Sequence, residues 1–150
     1  MEKKKFKIGY TTGVFDLFHI GHLNILKKSK ELCEFLIVGV STDELVKSYK
    51  KKPPIVPYNE RIEIVEAIRY VDKVVPQETR DKIAAYDMYK FDVMFVGDDW
   101  KGSEIFMKVE KELNSRGVEV VYFPYTQDTS STLLIRTLTC LTENAGNRAE

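Results

Sequence analysis

The chain has 150 residues and no formal net charge, because 23 Lys and Arg balance 23 Asp and Glu. With 43% hydrophobic and 31% charged residues, it has the profile of one globular domain that folds without a disulfide or structural metal. The charge balance excludes a dedicated nucleic-acid or membrane-surface binder, whose affinity rests on a basic excess. Cys33 and Cys140 match no metal or redox spacing, so free thiols in a reducing cytoplasm are expected. The charged start MEKKKFKIGY lacks the apolar stretch of a secretory leader, and no apolar run is long enough to insert in a membrane.

Phe6 to Thr11 is expected as the first strand, leading into a turn that carries Gly13, His19 and Gly21. Gly21 to Cys33 has helical spacing, with Leu23, Leu26 and Cys33 on one side. Phe35 to Val40 is a continuous apolar run, as in a strand covered on both faces. Ser41 and Glu44 then have the spacing of a capping box. Lys50 to Pro57 contains Pro53, Pro54 and Pro57 and must be a loop. Beyond it, the spacing predicts a helix over Asn59 to Tyr70, a short strand at Val74-Val75 ended by Pro76, and a helix from Lys82 to Lys90. Asp92 to Val96 is another buried strand, and Ser103 to Ser115 a helix that Gly117 stops. Val118 to Phe123 is the last strand. A short helix from about Ser131 to Leu138 closes a domain over residues 1–140, leaving 141–150 as a disordered tail.

Strands alternating with helices predict a single α/β domain, a five-stranded parallel sheet with helices on both faces. Such sheets bind ligands at the carboxyl ends of their strands, which singles out the loops 12–21, 41–43, 97–102 and 124–130. The chain's two histidines, His19 and His22, both fall in the first of these. At this spacing both rings share one side of a helix start, where free N–H groups and the helix dipole favour an anion. Gly13 would let the backbone approach a phosphate closely. A metal is the weaker reading of His-x-x-His, since no third ligand stands nearby.

Gly13-Val14-Phe15-Asp16-Leu17-Phe18-His19-Ile20-Gly21-His22 resembles the GxFDxxHxGH signature of the cytidylyltransferase-type nucleotidyltransferases. Ser41-Thr42-Asp43-Glu44, Arg61, Arg69-Tyr70-Val71-Asp72 and Gly97-Asp98-Asp99-Trp100 agree in order, and the likeness is greatest to the glycerol-3-phosphate cytidylyltransferases. The resemblance implies a Rossmann-like domain, usually a homodimer, that joins the α-phosphate of a nucleoside triphosphate to a phosphate monoester with Mg²⁺ as helper. CTP and a small phosphomonoester would be its partners. By the same resemblance, His19 and His22 would stabilise the transition state, with Lys50 and Arg61 beside them. Thr11, Gly13, Phe15, Asp16, Gly21, Asp98, Trp100, Thr126, Ser130 and Ser131 would bind the nucleotide. Lys50, Lys52, Arg69 and Asp72 would hold the acceptor, and Asp16 is the candidate to serve magnesium.

One segment departs from the family pattern. Where Arg-Thr-x-Gly-x-Ser-Thr is usual, this chain has Tyr125 for the arginine and Asp128 for the glycine, while Thr126, Ser130 and Ser131 keep their hydroxyls. Tyrosine replaces an arginine–phosphate contact only in part, and Arg136 is the nearest cation that could substitute. The departure leaves the acceptor open among glycerol 3-phosphate, phosphocholine, phosphoethanolamine, phosphonates and sugar phosphates. ATP in place of CTP, and a nucleotide-binding regulator without catalysis, are the remaining alternatives.

Overall fold

In the computed structural model, which describes residues 4–98, 101–124 and 131–148, the apolar runs become the strands of one sheet. β1 (Phe6–Gly13) lies at its centre, paired in parallel with β2 (Cys33–Ser41) on one side and β4 (Val93–Gly97) on the other. β3 (Lys73–Gln77) extends the sheet beyond β2, and β5 (Glu119–Phe123) extends it beyond β4. The order is β3-β2-β1-β4-β5, all parallel, as the alternation of strands and helices predicts. The strand order reverses between β1 and β4, so the crevice at their carboxyl ends is where a ligand belongs.

Alternation along β2 explains how both faces are covered. Leu36, Val38 and Val40 pack with Leu26 of α1 (Ile20–Leu32) and Val65 of α3 (Tyr58–Glu66). Ile37 points the other way, into the core formed by Tyr10, Met94 and residues of α4 (Lys82–Tyr89) and α5 (Glu104–Ser115), including Phe106 and Leu113. A strand buried on both faces must be apolar throughout, which is why this stretch has no polar period.

Several boundaries differ from the sequence expectation, each for a local reason. Cys33 opens β2 instead of closing α1, and its buried thiol donates back to Ser29 O. α2 (Asp43–Lys50) is capped by Thr42, whose hydroxyl accepts from Leu45 N–H, while the Ser41 hydroxyl donates to Gln77. The Ser41–Glu44 capping box therefore does not form. α3 stops at Glu66, so Arg61 and Arg69 do not share a helix face. Pro76 lies inside β3, tolerated because β3 is an edge strand whose outer side has no ladder to feed. Gly117, at φ +82°, takes up the left-handed turn after α5 as expected. α6 (Ser131–Arg148) runs well past Leu138. Nothing between 139 and 145 breaks a helix, and Thr137, Thr139 and Thr142 return their hydroxyls to carbonyls four residues back.

Candidate active site

The turn after β1 is built around two left-handed residues that are not glycine, Phe15 at φ 55° and Leu17 at φ 49°. Bulky residues avoid this region, so the surrounding structure must hold them there. Phe15 is buried, packs edge-on to His22 with centroids 5.4 Å apart, and covers Gly13. A Cβ on Gly13 would lie 3.0 Å from the Phe15 ring. The missing side chain thus makes room for Phe15, a requirement additional to any approach of phosphate.

His19 is the N-cap of α1. Its Nδ1 accepts from Gly21 N–H at 3.0 Å, and His22 Nδ1 accepts from His19 N–H at 3.3 Å. The two rings, 4.0 Å apart, complete a capping box made of imidazoles. A ring whose Nδ1 accepts must carry its neutral proton on Nε2, so each histidine keeps one Nε2–H to donate. Burial lowers the pKa of His19; burial, then the proximity of His19, push His22 down to about 4 against the pull of Asp16. Protonating either ring would turn its capping acceptor into a donor.

Asp16 and Arg61 tie this turn to the rest of the carboxyl edge. The Asp16 carboxylate accepts from Ile55 N–H at 2.8 Å and Val56 N–H at 2.9 Å, anchoring the proline-rich loop that follows Lys50 and Lys52. The Asp16 carbonyl receives the Ser131 hydroxyl at 2.6 Å, which brings the start of α6 to the same turn. Arg61 is 1% exposed. Its guanidinium donates to Val14 O, Ser41 O, Val56 O and Asp43 Oδ1, all within 2.8 Å. Four bonds to four segments make Arg61 the internal strut of the site, and so enclosed a side chain is not placed beside the histidines' free nitrogens as a further catalytic group, the role that the resemblance implies for it.

The remaining sequence candidates divide by position. Thr11 is buried, its hydroxyl bonded to Phe95 O, so it joins β1 to β4 at the switch point. Gly21 caps through its N–H, and Asp98 lies exposed just past β4. Lys50 and Lys52 are exposed at the end of α2 and in the loop after it. Arg69 and Asp72 are not brought to this edge. Arg69 is exposed and bonds Tyr70, while Asp72 precedes β3 and pairs with Lys30 and with Leu36 N–H at 2.8 Å. The five residue steps from Asp72 to Gln77 set it roughly 16 Å from the carboxyl end of the strand. Trp100, Tyr125, Thr126, Asp128 and Ser130 fall outside the described residues, and Arg136 is exposed on α6.

The model of the cytidylyltransferase-like family matches residues 10–137. The chain belongs to that family. Glycerol-3-phosphate cytidylyltransferase of Bacillus subtilis (strain 168) is 39% identical to it over 123 residues, 81% of this chain and 89% of the relative. FAD synthase of Pyrococcus abyssi (strain GE5 / Orsay) is 41% identical over 114 residues, 75% and 77% of the two chains. The crystal structure of the lipopolysaccharide core biosynthesis protein from Thermoplasma volcanium GSS1 is similar at a TM-score of 0.67 and 27% identity, covering 83% of this chain and 99% of that one. Membership makes the chain a nucleotidyltransferase with a Rossmann-like fold.

Sequence reasoning missed one loop of this cytidylyltransferase-like site. Because Pro76 is read as the end of β3, the segment after Gln77 does not figure among the carboxyl-edge loops, yet it carries Arg80, Asp81 and Lys82. Asp81 caps α4 through Ile83 N–H and Ala84 N–H. Lys82, in the first turn, reaches across to donate to Thr12 Oγ1 at 2.8 Å. Burial and then the charge of Arg80 bring its pKa down to about 8. The available signal was Asp-Lys opening a helix directly after a strand.

Among the described residues, no helix is long and apolar enough to cross a membrane, and no three His, Cys, Asp or Glu side chains cluster to hold a metal.

Proposed function

We propose that this cytidylyltransferase-like chain transfers CMP from CTP to a small phosphorylated alcohol, with glycerol 3-phosphate the leading acceptor. A phosphate oxygen of the acceptor bonds to the α-phosphorus of CTP. The bond from that phosphorus to the bridging oxygen breaks, and the electron pair leaves with pyrophosphate. The acceptor phosphate is already ionised at neutral pH, so the protein needs to position and neutralise more than to remove a proton. The observation that carries this reading is the paired imidazole cap at the switch point, with Nδ1 of His19 and of His22 fixed as acceptors. Their Nε2–H groups are then preorganised donors for a phosphorus gaining negative charge.

Other side chains divide the remaining work. Lys82, beside Thr12 at the end of β1, supplies a cation for the acceptor phosphate, and Lys50 and Lys52 add charge from the loop that Asp16 anchors. Arg61 holds these segments in register and does not touch substrate. Both oxygens of Asp16 accept backbone N–H groups, so this carboxylate anchors the loop, and each oxygen keeps a second lone pair with which it would serve the Mg²⁺ that accompanies the triphosphate. A cytoplasmic homodimer completes the reading, and the exposed Leu138 and Leu141 of α6 offer apolar surface for a second copy. The second reading is AMP transfer from ATP, favoured by the likeness to an FAD synthase. Pyrophosphate release with each of the four nucleoside triphosphates against a panel of phosphomonoesters separates the two, and dependence on CTP and glycerol 3-phosphate is expected.

A further inference from the structure

The missed loop also carries an arginine whose placement bears on which acceptors the site admits. The Arg80 guanidinium lies over the ring of Tyr49, 4.5 Å from its centroid, bridging the loop after β3 to α2. Lys50 Nζ lies 5.9 Å from the same ring, and the Arg61 guanidinium faces Tyr58 at 5.7 Å. The two tyrosines bordering this side of the carboxyl edge are thus each faced by protein cations. Two residues on from Arg80, Lys82 sits against Thr12, close enough for the arginine's charge to be felt on its ammonium.

A phosphomonoester that also carries a quaternary ammonium is recognised by open aromatic faces or by carboxylates. Here a ring face it would use is taken by Arg80. Of the nearby carboxylates, Asp43 accepts from Arg61 and from Tyr58 N–H and Asp81 caps α4, while Glu78, in the same loop as Arg80, is near enough to act on the Tyr58 hydroxyl. A polyol or an additional anion meets the opposite situation, because guanidinium N–H groups donate to hydroxyl and carboxylate oxygens alike.

We infer that Arg80, stacked on Tyr49, is a specificity-determining residue of the acceptor site: it admits phosphomonoesters whose remainder is uncharged or anionic and turns away those bearing a cationic amine. The inference rests on the proposed transfer reaction and adds to it the class of acceptor and the side chain that selects it. Discrimination comes from a like charge placed where the unwanted group would sit, as specificity often requires.

The test is steady-state kinetics with CTP and either glycerol 3-phosphate, phosphocholine or phosphoethanolamine, on the wild-type chain, Arg80→Gln and Arg80→Lys. Arg80 is at the surface, so both variants are expected to fold, and circular dichroism melts check this. In Arg80→Gln, the ratio of kcat/KM for glycerol 3-phosphate over phosphocholine is expected to fall at least about tenfold, as the loss of one well-placed charge implies. The change is expected in the acceptor KM, with KM for CTP unmoved, and Arg80→Lys restores the ratio. Turnover of glycerol 3-phosphate with a ratio that Arg80→Gln leaves unchanged, or a wild-type chain that uses phosphocholine equally well, overturns the inference and leaves the transfer reaction standing. Failure to transfer to any acceptor removes both.

Discussion

Gly21 N–H donates to His19 Nδ1 and His19 N–H to His22 Nδ1, so the two imidazoles close one another's turn at the start of α1. Each ring has a structural nitrogen and a free one. The division separates folding from chemistry, and substitutions can address the two nitrogens independently.

Asparagine offers an oxygen near the position of Nδ1 and is a good N-cap. His19→Asn is therefore expected to keep a near-native urea midpoint while its rate of pyrophosphate release falls about 10²–10³-fold through loss of the Nε2–H donor. His19→Ala is expected to lose about 1 kcal/mol of stability as well. An Asn variant with native activity would show that Nε2–H is not used.

Acid stability follows from the same cap. The pKa of His22 falls from 6.5 unfolded to about 4 folded, so the unfolded chain takes up the proton first as pH drops. The stabilising contribution is complete above about 6.5 and is lost as pH falls through about 4; it amounts to something on the order of 3 kcal/mol. His19 adds in the same direction. Urea titrations at pH 7.5 and at pH 4 are expected to show this loss, and His22→Asn is expected to show a smaller one.

Arg61 joins Val14, Ser41, Asp43 and Val56 from the helix interior. Removing one partner of a buried, bonded charge leaves its acceptors unsatisfied, so Arg61→Ala is expected to destabilise by about 3–5 kcal/mol in chemical denaturation. A residue contacting phosphate from the surface would instead change KM with little loss of stability.

Lys82 carries a cost of the opposite kind. A lysine whose pKa is lowered to about 8 by burial and by Arg80 destabilises the fold at neutral pH, where it is still mostly charged. Lys82→Met is expected to raise stability by roughly 1–2 kcal/mol and to raise the acceptor KM sharply, a trade common at functional sites. In the wild-type chain the acceptor KM should climb as pH rises through about 8 and the ammonium is lost. A flat profile between pH 7 and 9 would detach Lys82 from the acceptor.

The architecture was legible because the apolar runs around Phe35 to Val40 and Asp92 to Val96 admit little besides strands covered on both faces. The histidine pair was legible because both of the chain's histidines occur in one turn. What sequence spacing could not show was direction. Arg61 resembles a surface arginine until α3 is seen to aim it inward. Asp72 shares a motif with Arg69 but lies before β3, at the amino end. Lys82 was hidden because Pro76 suggested that the edge strand had already ended. Ser41 competes with Thr42 for the cap, and only the neighbouring Gln77 decides which hydroxyl is free for it.

The most direct test of the transfer reaction is to follow pyrophosphate release and product formation with CTP and glycerol 3-phosphate, in parallel with His22→Asn. The expected result is a CDP-alcohol formed with one pyrophosphate per turnover, at a rate that His22→Asn lowers about 10²–10³-fold while the fold is retained. Nucleotide binding without turnover on any phosphomonoester, or a rate that His22→Asn leaves intact, would contradict it.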